Sequence, residues 1–234
     1  VLRLLRYSAR PEQQRALLEA PLAWMEAGST AAGVLPVWFL PPDEELQVVL
    51  WGDTCITVQA QLVLGLLDFD ASRYQAQIRA TTLHICQALA RVGLAANHYY
   101  VPLYSLWILG TLIARMLPLA ADPALAASLR PTQTWLARRL ERELRRPLSS
   151  AQDCALRLLG SCALEIAPGL RAGWHTRIIK LQRYDGSWDA EPLFITSTRG
   201  GMPIWYSSHL VTTAIIYHAL CLTAAAEQDP SPVR

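Results

Sequence analysis

The residues best suited to chemistry are one carboxylate, one imidazole and a set of aromatic rings. Asp53 and His209 are the acid–base candidates. Trp51, Tyr99, Tyr100, Tyr104, Trp107, Trp205 and Tyr206 cluster at or just inside the starts of apolar helical segments. If those helices line one cavity, its walls are aromatic. Such walls pack against apolar ligands, and ring faces stabilise positive charge. A polar group there donates a proton or anchors a ligand's polar head. The structural alternative is core packing for the rings and a helix N-cap role for Asp53.

Other polar residues read as structural. His84 and His218 lie mid-helix on apolar faces and are expected in the core, whereas His175, beside Trp174, is expected to be exposed. Asp43-Glu44-Glu45 and Asp68-Phe69-Asp70 have the wrong spacing to chelate magnesium from one helix face, and read as solvated loops. The chain has no Ser-His-Asp order, P-loop or dinucleotide fingerprint.

Eight helical segments must position these residues, with almost no strand. They are read at Pro11 to Glu26, Asp53 to Leu67, Ser72 to Val92, Pro102 to Met116, Pro123 to Arg146, Ser149 to Leu164, Arg171 to Arg183 and Ser207 to Ala226. The first apolar side is Leu17, Leu18, Leu22 and Trp24-Met25; the third segment repeats Tyr74, Ile78, Thr82, Ile85 and Leu89 at helical spacing. Odd-numbered segments are amphipathic and even-numbered ones apolar, the pattern of hairpins with an outer solvated helix and an inner buried one. Trp51 to Ala60 aligns with Trp205 to Ala214, so two inner helices begin alike. The long loops, residues 27–52 and 189–206, precede inner helices and would roof a central cavity.

Of the 234 residues, 52% are hydrophobic and only 17% charged, so much of the chain must be buried as one domain over residues 1–234. A net charge of +2 gives no electrostatic case for nucleic acid. The cluster Arg138 to Arg146, with its interleaved glutamates, reads as a solvated helix face; a peripheral membrane surface is the sharper alternative. Val101 to Ala121 carries the single charge Arg115 and is read as a buried helix rather than a membrane span. Cys55, Cys86, Cys154, Cys162 and Cys221 form no C-x-x-C and are expected to be free, buried thiols of a reducing, cytoplasmic compartment. No signal-peptide pattern is read.

The sharpest local signal is Gln182-Arg183-Tyr184-Asp185-Gly186-Ser187-Trp188. Gly186 permits a positive φ, Asp185 can accept turn N–H groups, and Trp188 can stack on Gln182 and cover a helix end. This Q-x-x-D-G-S-W stretch resembles the QW repeat of the terpenoid and squalene cyclases and their protein-prenyltransferase relatives. The resemblance is sharp over residues 174–220. It implies an all-α fold, an α/α toroid of about four hairpins, open or truncated relative to the family's six. It also implies an apolar small-molecule substrate, isoprenoid or polyene-like, whose cyclisation or rearrangement the cavity steers, with no cofactor. The family's proton-donating D-x-D-D-T-A motif is matched by Leu50-Trp51-Gly52-Asp53-Thr54-Cys55, which keeps only the last Asp and the Thr and has Gly52 at the donor position. The ionisation motif D-D-x-x-D is absent. Two further classes stay open. One is a non-catalytic lipid-binding or interaction domain that lost the acid. The other is a prenyltransferase-like zinc enzyme, with Asp53 and Cys55 as D-x-C, His209 in the last repeat and His98 near a third inner helix.

Overall fold

A computed structural model describes residues 11–35, 55–96, 99–197 and 203–228. They are mostly helical, with little sheet. The helices are α1 (Pro11–Gly28), α2 (Ile56–Asp70), α3 (Gln75–Val92), α4 (Pro102–Met116), α5 (Pro123–Leu144), α6 (Ala151–Ala163), α7 (Arg171–Lys180) and α8 (His209–Gln228). Two strands, β1 (Pro192–Ser197) and β2 (Pro203–Ser207), pair as an antiparallel hairpin between α7 and α8. Among the described residues no helix is long and apolar enough to cross a membrane. The chain divides into two compact units, one of residues 1–98 and 115–132, the other of residues 99–114 and 133–234.

In the first unit, Ile56, Ala60, Val63 and Leu64 of α2 and Ile78, Ile85 and Leu89 of α3 form the core with Leu22 and Met25 of α1. Trp24, expected on the apolar side, is 36% exposed. The segment after α1 is pinned at Leu35, whose N–H donates to Thr81 Oγ1 (2.9 Å) and whose carbonyl accepts from Gln59 Nε2 (2.9 Å). All three residues are buried, so these bonds satisfy groups that would otherwise be desolvated at a cost. Asp68 and Asp70 are not loop residues: they close α2. Asp68 is half-buried, with only 7% of its side chain exposed, and that carboxylate pairs with Arg115 Nη1 at 2.8 Å, as a charge withdrawn from water requires. Cys55, not Asp53, is the N-cap of α2.

In the second unit, α6 packs against both α7 and α8. The core joins Cys154, Ala155, Leu158 and Leu159 of α6, Trp174 and Ile178 of α7, Ile215, Ile216 and Ala219 of α8, and Trp188. Ser150 Oγ accepts the Asp153 N–H (3.0 Å) and starts α6. Glu143, read as part of a solvated cluster, is buried between Arg139 (2.8 Å) and Arg146 (2.9 Å). The hairpin falls where sequence suggests only loop. Alternating branched and aromatic residues, Leu193-Phe194-Ile195 against Ile204-Trp205-Tyr206, favour a pleated pair. A third extended piece joins β1: Ile195 N–H donates to the Tyr99 carbonyl (2.6 Å), and Val101 N–H to the Leu193 carbonyl (3.0 Å).

No disulfide joins the cysteines; Cys55, Cys86 and Cys154 are buried, Cys162 is half-buried and Cys221 is exposed. Burial pushes the Cys154 thiol up to about 11 and keeps it protonated.

Candidate functional site

The second unit holds three connected features: a clasp, an aromatic row and a polar cavity. The clasp ends α7. Gly186 has φ +83, a conformation that costs a side-chain-bearing residue. Arg183 N–H donates to the Ser187 carbonyl (2.8 Å) and Gly186 N–H to the Arg183 carbonyl (3.0 Å). Asp185 Oδ1 accepts from Ser187 N (3.0 Å) and Oγ (2.7 Å), and Gln182 Nε2 donates to the Gly186 carbonyl (2.8 Å). The Ser187 hydroxyl and N–H hold the Asp185 carboxyl below the usual aspartate range. Trp188 is buried, and its Nε1–H donates to the Ile178 carbonyl (2.9 Å), a second bond to an oxygen that also accepts the Leu181 N–H (3.2 Å) at the end of α7.

From the clasp a buried polar chain runs to the hairpin and α8. Gln152 Nε2 donates to the Pro192 carbonyl (2.9 Å), and Thr212 Oγ1 donates to Gln152 Oε1 (3.0 Å) while accepting from Glu191 N (3.2 Å). Gln152 and Thr212 are both buried, so this network fixes the hairpin against α6 and α8.

The hairpin carries the aromatic row. Tyr206 stacks on Phe194 (centroids 4.5 Å, interplanar 9°), and Phe194 meets Tyr100 at 6.4 Å. Tyr100 stacks on Tyr104 (4.8 Å), Tyr104 meets Trp107 edge-to-face (5.4 Å), and Trp107 lies 5.8 Å from the ring of His218. Six rings from β2, β1, the segment before α4, α4 and α8 thus form one continuous path. Tyr100, Tyr104 and Trp107 are half-buried, while Phe194 and Tyr206 are 37% and 44% exposed. Burial first, then the neighbouring Tyr100, raises the Tyr104 pKa, so this phenol stays neutral near pH 7.

The structure brings together four of the residues singled out from sequence: Tyr100, Tyr104, Trp107 and Tyr206. Trp205 pairs with Ile195 instead, and strand alternation turns it to the opposite face from Tyr206. Tyr99 is buried, and its carbonyl anchors β1. His209 Nδ1 lies 3.1 Å from the Trp188 carbonyl, which it can only reach as a donor, so the ring is tied to the clasp. Trp51 and Asp53, with Gly52 and His98, lie outside the described residues. Phe194 and His218 were missed. His218 is exposed over Trp107 rather than in the core, and His175 is half-buried rather than exposed. Of the zinc alternative, Cys55 belongs to the first unit and His209 to the second. Among the described residues no group of three or more His, Cys, Asp or Glu could hold a metal ion.

The cavity, of about 290 Å³, lies at the start of α6 and is lined by Leu103, Leu156, Glu143, Arg146, Asp153, Arg157 and Glu191 among others. Arg157 is buried and bonds Asp153 (3.1 Å) and the carbonyls of Leu144 (3.3 Å), Arg146 (2.9 Å) and Pro147 (3.3 Å). A cation at those carbonyls completes the C-terminal end of α5. With Glu143 paired to Arg146 as well, the cavity's main charges are spent within the protein.

Searches against protein-family models and against curated proteins found no match to this chain.

Proposed function

We propose that the chain is a helical-hairpin domain of the α/α-toroid type, an open ring of four hairpins similar to the terpenoid cyclases, that binds an isoprenoid or polyene-like molecule along its aromatic row. The row carries the reading: Tyr206, Phe194, Tyr100, Tyr104, Trp107 and His218 offer one continuous surface of ring faces and edges. A conjugated or branched hydrocarbon gains dispersion and burial along such a surface. The toroid is supported by α6, which packs on α7 and α8 as an inner helix does on the next hairpin, and by the clasp that ends α7.

The chemistry this surface favours is cyclisation or rearrangement of the bound polyene, with ring faces stabilising positive charge as it develops. In this reading Asp53 supplies the proton and His209 serves the clasp. A second reading, a non-catalytic isoprenoid-binding domain, is favoured by one observation: Gly52 stands where the similar cyclases carry their donor acid. Mass spectrometry of an organic extract of the purified protein tests binding, with a near-stoichiometric isoprenoid or polyene expected. Incubation with squalene and with geranylgeraniol then separates the readings. An enzyme forms cyclised product that Asp53→Asn abolishes without loss of binding, whereas a binder forms none. Absence of any apolar ligand and of binding to either compound would overturn both.

A further inference from the structure

Two groups that line the cavity at the start of α6 are not spent within the protein. The first is Glu191. One of its oxygens accepts the Gln152 N–H (3.3 Å), and among the described residues no cation pairs with it. The other acids there are matched, Glu143 by Arg139 and Arg146, and Asp153 by Arg157. The second group is Arg157, only 3% exposed. Its terminal N–H groups are taken: Nη1 donates to the carbonyls of Leu144 and Arg146, and Nη2 to the Pro147 carbonyl and Asp153. Its Nε–H has no acceptor among the described residues. A buried donor without an acceptor is costly, so an oxygen brought to this N–H binds well.

Both groups converge on one turn of helix. Glu191 sits on the N–H of Gln152, and the Arg157 guanidinium reaches back to Asp153, the next residue. The same cavity has apolar wall from Val101, Leu103 and Leu156, and none of the six rings of the aromatic row lines it. Its volume of about 290 Å³ is at the low end for ligand pockets and suits a molecule of amino-acid size. The charges select the ligand. Glu191 calls for a cation. The open N–H calls for a neutral oxygen, because a carboxylate there would lie beside Asp153, already on the same guanidinium. An ammonium next to a carbonyl supplies both. We propose that the cavity binds a small organic monocation of this kind, an α-amino amide with an aliphatic side chain. Its ammonium meets Glu191, its carbonyl accepts from Arg157 Nε, and its side chain packs on Leu103 and Leu156.

Calorimetry and heteronuclear NMR titration with leucinamide, leucine and isopentylamine test this, at about pH 6.5, where an α-ammonium stays charged. Leucinamide is expected to bind saturably and to move the amide signals of Gln152 and Glu191. Isopentylamine keeps the ammonium and the chain but lacks the carbonyl, and leucine adds a carboxylate. Each is expected to bind at least about fivefold more weakly. Glu191→Gln keeps an acceptor for the Gln152 N–H while removing the charge, and is expected to weaken leucinamide at least about tenfold. Asp189→Asn, at an exposed acid outside the cavity, is expected to leave affinity within about twofold. Failure of leucinamide to saturate, equal binding of isopentylamine or leucine, shifts confined to another surface, or undiminished binding to Glu191→Gln would each overturn the assignment. The ligand series and the map of moved signals decide the matter even if Glu191→Gln fails to fold.

Discussion

Replacing Gly186 isolates the backbone contribution of the clasp. A Cβ at this position would meet only Gln182 Nε2, 3.9 Å away, an ordinary contact. Any loss therefore comes from φ +83 and not from crowding. A left-handed conformation costs an L-residue about 1–2 kcal/mol. Against this, removing glycine's freedom from the unfolded chain returns about 0.4–1 kcal/mol. Gly186→Ala should thus destabilise by roughly 1 kcal/mol, and β-branched Gly186→Val by about 1–3 kcal/mol. Asparagine tolerates this region, so Gly186→Asn should be the mildest of the three. For a chain of this length each kcal/mol moves the melting temperature by about 2–4 °C. Urea denaturation followed by circular dichroism, with calorimetry, gives the ranking, read on the transition of the second unit because two units need not melt together. Valine as stable as glycine, or asparagine ranking below alanine, would contradict a cost set by the positive φ.

Other perturbations test other parts of the structure. Trp188→Phe keeps most of the packing but removes the donor to the Ile178 carbonyl, which still accepts Leu181 N–H; about 1 kcal/mol should be lost in urea unfolding. Arg157→Met strands Asp153 and three carbonyls in a buried setting and should cost about 3–5 kcal/mol, with Asp153→Asn recovering part of it in a double-mutant cycle. The side-chain hydrogen bonds of Arg79, then the Ala124 N–H, hold the Asp122 carboxyl below the usual range. With its folded pKa depressed, this stabilisation is complete above the unfolded aspartate value and disappears as pH falls through the folded one. Asp122→Asn, which keeps a capping side chain, should therefore flatten the acid limb of a melting-temperature profile below about pH 4 and leave the neutral limb's slope unchanged.

What sequence revealed was local. The helices follow from apolar periodicity, and α4 begins and ends at the expected residues, Pro102 and Met116. Gln182, Asp185, Gly186 and Trp188 form their turn within seven residues, so their chemistry could be read directly. The hairpin was hidden because its strands are short and lie in a Pro- and Gly-containing stretch resembling a loop. Missing it put Trp205 and Tyr206 on one surface, although neighbours in a strand face opposite ways. Phe194 and His218 join the row only through tertiary pairing. Since α8 is apolar all round, periodicity could not show that His218 and Cys221 face outward. Asp68 with Arg115, and Arg157 with the end of α5, pair across distances in sequence that no local pattern encodes.

Fluorescence titration with the tetraene parinaric acid reads out whether the aromatic row is the ligand surface. Saturable binding to the unaltered protein is expected. Tyr104→Ala and Phe194→Ala, each removing one ring from the row, should weaken it by about tenfold. Trp205→Ala, an equally aromatic loss on the opposite face of β2, should leave affinity within about twofold. Failure of the protein to bind the probe, or a loss with Trp205→Ala as large as with Tyr104→Ala and Phe194→Ala, would contradict the assignment.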